Sequence, residues 1–101
     1  MYAVIFQAKV KNPDAEYNQT AMQLRELAMI EYGCINFIAT REDGFEIAIS
    51  YWKNLQQFKK WKQDADHLLA QQNGREKWYS FYKVQVVEII QEYEHTAKQE
   101  P

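Results

Sequence analysis

The chain is 101 residues long, 47% apolar and 15% aromatic against 26% charged, enough for one packed domain and too little for a second. Twelve Lys and Arg against fourteen Asp and Glu give a formal charge of −2; without the basic excess that a phosphate-backbone binder needs, nucleic acid is not an expected partner. The single Cys34 cannot close an internal disulfide and no His/Cys cluster has metal-ligand spacing, which excludes a disulfide-stapled scaffold and a zinc fold and makes a reducing cytoplasm the expected setting. Residues Met1 to Phe6 carry neither a basic leader nor a cleavage signal, and no apolar run approaches the roughly 20 residues that span a bilayer, so no targeting segment and no membrane association are expected. Three Gly and two Pro argue for long regular elements joined by short connections.

From Tyr2, the residues Tyr2, Val4, Phe6, Ala8 and Val10 alternate with Ala3, Ile5, Gln7 and Lys9, the period-2 signal of a strand ending near Lys11. Asn12-Pro13-Asp14 then reads as a helix start, with Asn12 as cap, Pro13 at the first helical position and Asp14 facing the positive helix end. Tyr17, Ala21, Leu24, Leu27 and Ala28 follow at helical spacing to about Tyr32, and Gly33 is placed to close the helix in the left-handed conformation. Ile35, Phe37 and Ala39, then Phe45, Ile47, Ile49 and Tyr51, alternate on either side of Asp43-Gly44, the tight-turn pair of a hairpin. Asn54, with Gln57 three residues on, caps a second helix carrying Leu55, Phe58, Trp61 and Ala65; a new start is open at Asp64, with helical spacing continuing through Leu68, Leu69 and Trp78. The last element, Phe81 to Tyr93, is rich in Val, Ile and Tyr and reads as a long strand.

The order β-α-β-β-α-β predicts an α+β, ferredoxin-like fold: a four-stranded antiparallel sheet with two helices on one face, in a single domain over residues 1–95 with a polar tail at 96–101. Ala3, Ile5, Ile38 and Ala48 are expected to point away from the main core set, giving the sheet a second apolar face that needs a cover. In the last strand Tyr82, Val84 and Val86 lie in one phase and Val87, Ile89 and Tyr93 in the other. A bulge near Val86-Val87, or burial of the strand end by another subunit, accounts for that. Both features favour a homodimer in which two sheets pack face to face.

Functional residue types concentrate between Asp64 and Tyr79. On a helix unbroken from Phe58, His67 lies about 180° from Phe58, facing solvent. On a helix restarted at Asp64, His67, Gln71, Gly74, Arg75 and Trp78 form one stripe that can wall a pocket. The alternative is plain: His67 and Arg75 solvated, Asn73-Gly74 a helix end, Trp78 and Tyr79 core. Tyr51, Tyr79 and Tyr82 bring hydroxyls that need partners when buried, which suits an apolar pocket with a few polar anchors between helices and sheet. Cys34 reads as a small buried hydrophobe, with no base placed near it.

Taken with the element order, Tyr51-Trp52-Lys53, Phe58-x-x-Trp61 and His67-x-x-Ala70-Gln71-x-x-Gly74-Arg75-x-x-Trp78-Tyr79-x-x-Tyr82 resemble the antibiotic biosynthesis monooxygenase domain family, small dimeric α/β-barrel proteins, over roughly residues 2 to 93. The resemblance implies a monooxygenase that needs no cofactor or metal and acts on a small aromatic or quinol-type substrate, binding it in an apolar pocket, removing a phenolic proton and letting the anion react with O₂. In that reading His67 is the base, Arg75 or a tyrosine hydroxyl stabilises the oxyanion, and Trp61, Gln71, Trp78, Tyr79, Tyr82 and Tyr51 contact the substrate. A ligand-binding or stress-related dimer without turnover is the alternative. The haem-degrading branch is a weaker match: Trp61 fits its pocket tryptophan, but Gln71 stands where that branch has its haem-ligating histidine and Gln7 where it has a strand-one asparagine.

Overall fold

The computed structural model describes residues 1–98. Its elements are β1 (Tyr2–Val10), α1 (Ala15–Glu31), β2 (Asn36–Glu42), β3 (Phe45–Trp52), α2 (Leu55–Gln71), α3 (Gly74–Trp78) and β4 (Tyr79–Glu88). The strands form one antiparallel sheet in the order β2-β3-β1-β4, with the helices on one face. This is the ferredoxin-like arrangement with an added short third helix.

Local chemistry sets the element boundaries. Asp43 and Gly44 both take positive φ (52° and 78°), the conformation that lets a two-residue turn match strand twist, so β2 and β3 form the expected hairpin. Asn54 accepts from the Gln57 backbone N–H (3.0 Å) and caps α2. Gly33, at φ 75°, closes α1; a β-carbon there would also lie 2.8 Å from Gln57 Nε2. Cys34 is buried and free, as expected of a small hydrophobe.

Three boundaries differ from the sequence reading. The cap of α1 is Asp14, whose Oδ1 accepts from the Tyr17 N–H (2.8 Å); Asn12 instead takes φ 53° in the turn out of β1, a conformation that Asn tolerates. The helix restart falls after Asn73 (φ 51°), not at Asp64, so α2 runs unbroken past His67. β4 begins at Tyr79 and stops at Glu88, short of Tyr93, and its register irregularity lies at Lys9/Val10 rather than Val86-Val87. Val86 and Val87 sit in continuous pairing, one on each face, so the apparent phase slip is an apolar residue on both sides. Of the tail expected at 96–101, residues 99–101 lie outside the described residues.

The sheet's two faces follow from the register. Val4, Phe6 and Ala8 of β1 lie opposite Ser50, Ala48 and Glu46 of β3 and face the helices. Ala48 therefore belongs to the helix face, not to the second face. Core packing concentrates in two clusters: Val4, Ala28, Cys34, Trp52 and Phe58 at one end, and Ala8, Val10, Tyr17 and Trp78 at the other. Ala3, Ile5 and Ile38 point away from the helices together with Ile47, Ile49 and Tyr51. Among the described residues no helix is long and apolar enough to cross a membrane.

The capping assignment is testable. Asp14→Ala should lower stability by about 1 kcal/mol, whereas Asn12→Gly, at a positive φ that Gly adopts freely, should change it by less than about 0.5 kcal/mol. Chemical denaturation measures both; the reverse ranking would restore Asn12 as the cap.

Candidate functional site

The helix face of the sheet is floored by small residues. Ala39 of β2, Ala48 of β3 and Phe6 of β1 stand side by side in one row, with Ser50 in the next. Two alanines and a serine cannot reach the helices, and a cavity of about 270 Å³ opens above them. Its roof is Tyr17, Thr20 and Leu24 of α1 with Phe58, Trp61 and Leu69 of α2. Trp61 is fixed by its indole N–H, which donates to the Leu24 carbonyl (2.9 Å), and its ring meets Trp52 and Phe37 at centroid distances of 5.8 and 6.3 Å.

One end of this mostly apolar space is polar. Glu46 follows Phe45 at the start of β3, and the register turns its side chain to the helix face, opposite Ala8. The buried Tyr17 hydroxyl donates to Glu46 Oε2 (2.8 Å). Burial, then the neighbouring Tyr79 and Glu46, holds the Tyr17 phenol far above its ordinary value. Tyr79 is raised as well, chiefly by burial. Both phenols therefore stay protonated donors at neutral pH. The Tyr79 ring lies 6.0 Å from Tyr17 and 5.9 Å from Tyr82.

The Asn73 break swings α3 across the same end and brings Arg75 and Trp78 to the cavity. Arg75 pairs with Asp66, and Lys62 reaches the same carboxylate at 2.7 Å. Gly74 permits the close packing of this corner: a β-carbon would lie 2.9 Å from both Leu69 Cδ2 and Trp78 Cζ3.

Of the residues singled out from sequence, Trp61, Arg75, Trp78, Tyr79 and Tyr82 meet at this cavity. His67, Gln71 and Tyr51 do not. Because α2 is continuous, His67 and Gln71 stand on its exposed side, their side-chain nitrogens 3.2 Å apart, half a turn from Phe58. Tyr51 lies in the outward phase of β3. Sequence reasoning did not place Glu46 or the Tyr17 hydroxyl at this cavity. Glu46 sits between the apolar Phe45 and Ile47, where alternation reads it as solvent-facing; only its pairing with Ala8 reveals the opposite.

No protein-family model matches the chain. The uncharacterised protein YqjZ of Bacillus subtilis is 34% identical over 89 residues, covering 87% of this chain and 78% of YqjZ. Among solved structures, SnoaB, a cofactor-independent oxygenase from Streptomyces nogalater, superimposes with a TM-score of 0.72 at 16% identity over 90% of this chain and 94% of SnoaB. A protein described as an antibiotic biosynthesis monooxygenase gives a TM-score of 0.73 at 14% identity over 90% of this chain and all of the other. The chain belongs to one family with YqjZ, and its fold is that of the antibiotic biosynthesis monooxygenases.

Proposed function

We propose that the protein is a cofactor-independent monooxygenase acting on a small phenolic or quinol-type substrate, and that it works as a cytoplasmic homodimer. The observation that carries this reading is the aromatic cavity with Glu46 turned inward beside Tyr17, Tyr79 and Tyr82 at one end and Trp61 at the other. A carboxylate turned inward on a central strand costs desolvation free energy, and a proton-transfer role gives that arrangement a use. The fold shared with SnoaB agrees with it.

In the proposed reaction the substrate hydroxyl lies against Glu46 and passes its proton to the carboxylate, which Tyr17 orients through its 2.8 Å hydrogen bond. Glu46 takes the base role that the family resemblance implied for His67, because His67 stands outside the cavity. The Tyr79 hydroxyl and Arg75 stabilise the phenolate oxygen, and the apolar walls exclude water. The electron-rich ring carbon para to that oxygen then reacts with O₂. One oxygen atom stays on carbon as a carbonyl and the other leaves as water with the two hydrogens of the phenol, so that a phenol and O₂ give a para-quinone and water. Nothing at the cavity supports the haem-degrading reading: among the described residues no histidine lines it, and Gln71 is on the solvent side.

The dimer is proposed from the outward sheet face, where Ile38 (51% exposed) and Phe45 (40%) sit with Ile5, Ile47 and Ile49, and Phe81 (47%) lies across Lys9. Such an apolar surface belongs at an interface.

Oxygen uptake with 1-naphthol and a panel of quinols tests the activity. Glu46→Gln should slow turnover by roughly 10²-fold or more while the protein stays folded, and His67→Ala should turn over like wild type. Wild-type rates in Glu46→Gln, or loss of activity in His67→Ala, would overturn the assignment; no uptake with any substrate would favour a binding protein. Sedimentation velocity should give twice the 12.1 kDa chain mass, and a stable monomer at micromolar concentration would remove the dimer.

A further inference from the structure

A chain with a net charge of −2 gathers three cations around one cavity: Arg25, Lys62 and Arg75. Asp66 answers both Lys62 and Arg75. Arg25 has no carboxylate partner among the described residues. It lies instead over the Phe37 ring, 5.9 Å from the centroid, next to Leu24, whose carbonyl fixes Trp61. With the guanidinium over Phe37 and no hydrogen bond or ion pair to it among the described residues, its N–H groups can meet a carboxylate in a bidentate pair.

The sheet register gives the distance between this cation and the carboxylate end. Phe37 lies opposite Ser50 and Arg41 opposite Glu46, so the two rows are four residues apart along β3, roughly 13 Å at about 3.3 Å per residue. The reach of the Arg25 and Glu46 side chains shortens that span toward the length of a bicyclic ring with a substituent at each end. Direction follows from what each end already holds: Arg75 and Lys62 share Asp66 and the other end carries Glu46, whereas among the described residues Arg25 has no carboxylate of its own.

We infer that the ligand is an aromatic carboxylate, held with its acidic group on Arg25, its ring against Trp61 and its hydroxyl at Glu46. The hydroxyl end rests on the proposed oxygenase reading; the carboxylate end does not. The matched probes are 6-hydroxy-2-naphthoate and its methyl ester, nearly alike in shape and different in charge, titrated calorimetrically at low ionic strength without turnover. Wild type should bind the acid about tenfold more tightly than the ester, the scale of one charge-assisted pair at a partly wet site. Arg25→Gln should reduce that preference to within about twofold and leave the ester's affinity unchanged. Added salt should narrow the wild-type gap. Equal affinities in wild type, a preference retained in Arg25→Gln, or failure of both probes to bind would each overturn the inference. An intact acid preference in a protein that consumes no oxygen would instead sink the oxygenase reading and leave this one standing.

Discussion

The register of β3 between β1 and β2 decides which of its side chains meet the helices, and the rest of the molecule follows from it. Phe6 lies opposite Ala48 and Ala48 opposite Ala39, so the middle of the helix face is built from small side chains. Ile47, Ile49 and Tyr51 of the same strand go to the other face, while Trp52 fills the helix-side core at the strand's end. A one-residue slip would exchange the two sets, filling the cavity with isoleucines and turning Ala48 outward. The room for a ligand and the apolar surface that calls for a partner are thus two consequences of one pairing.

Most polar atoms around the cavity find partners within the fold, the buried Trp78 indole N–H being an exception. Tyr17 brings a hydroxyl into the core cluster with Trp78 and donates to Glu46, which offsets the desolvation of both groups. Trp61 is anchored on the Leu24 carbonyl, and Thr20 donates to Gln72 Oε1 (2.7 Å) at the end of α2. The left-handed Asn73 then redirects the chain so that Arg75 and Trp78 close the same end. The aromatic residues contribute packing as well as a ligand surface: Trp52 and Trp78 are fully buried, and Tyr17 meets Trp78 edge-on at 5.4 Å.

Much of this was legible in the sequence where the signal is local. Asp43-Gly44, Gly33 and Asn54 each act within a few residues of themselves, and each does what its chemistry predicts. Asn12 and Asp14 are harder to separate, since both residue types cap helices and Asn also tolerates the left-handed turn that it takes here. The candidate site was legible in part: Trp61, Arg75, Trp78, Tyr79 and Tyr82 converge, but His67 does not, because its place depended on whether α2 breaks at Asp64 or after Gln71. No short-range pattern decides that. Glu46 was hidden for the opposite reason. Its strand alternates cleanly, and the apolar phase of an alternating strand is ordinarily the buried one; here Phe45, Ile47 and Ile49 face outward, which only the pairing with β1 discloses.

The central claim is that the space above Ala39, Ala48 and Ser50 receives a phenol whose hydroxyl meets Glu46. A crystal structure of the protein soaked with 1-naphthol tests it directly. The account predicts the ring over Ala48 and against Trp61, with its oxygen within hydrogen-bond distance of a Glu46 carboxylate oxygen. An empty cavity with the naphthol bound elsewhere, or a naphthol in the cavity with its oxygen turned away from Glu46, would contradict it.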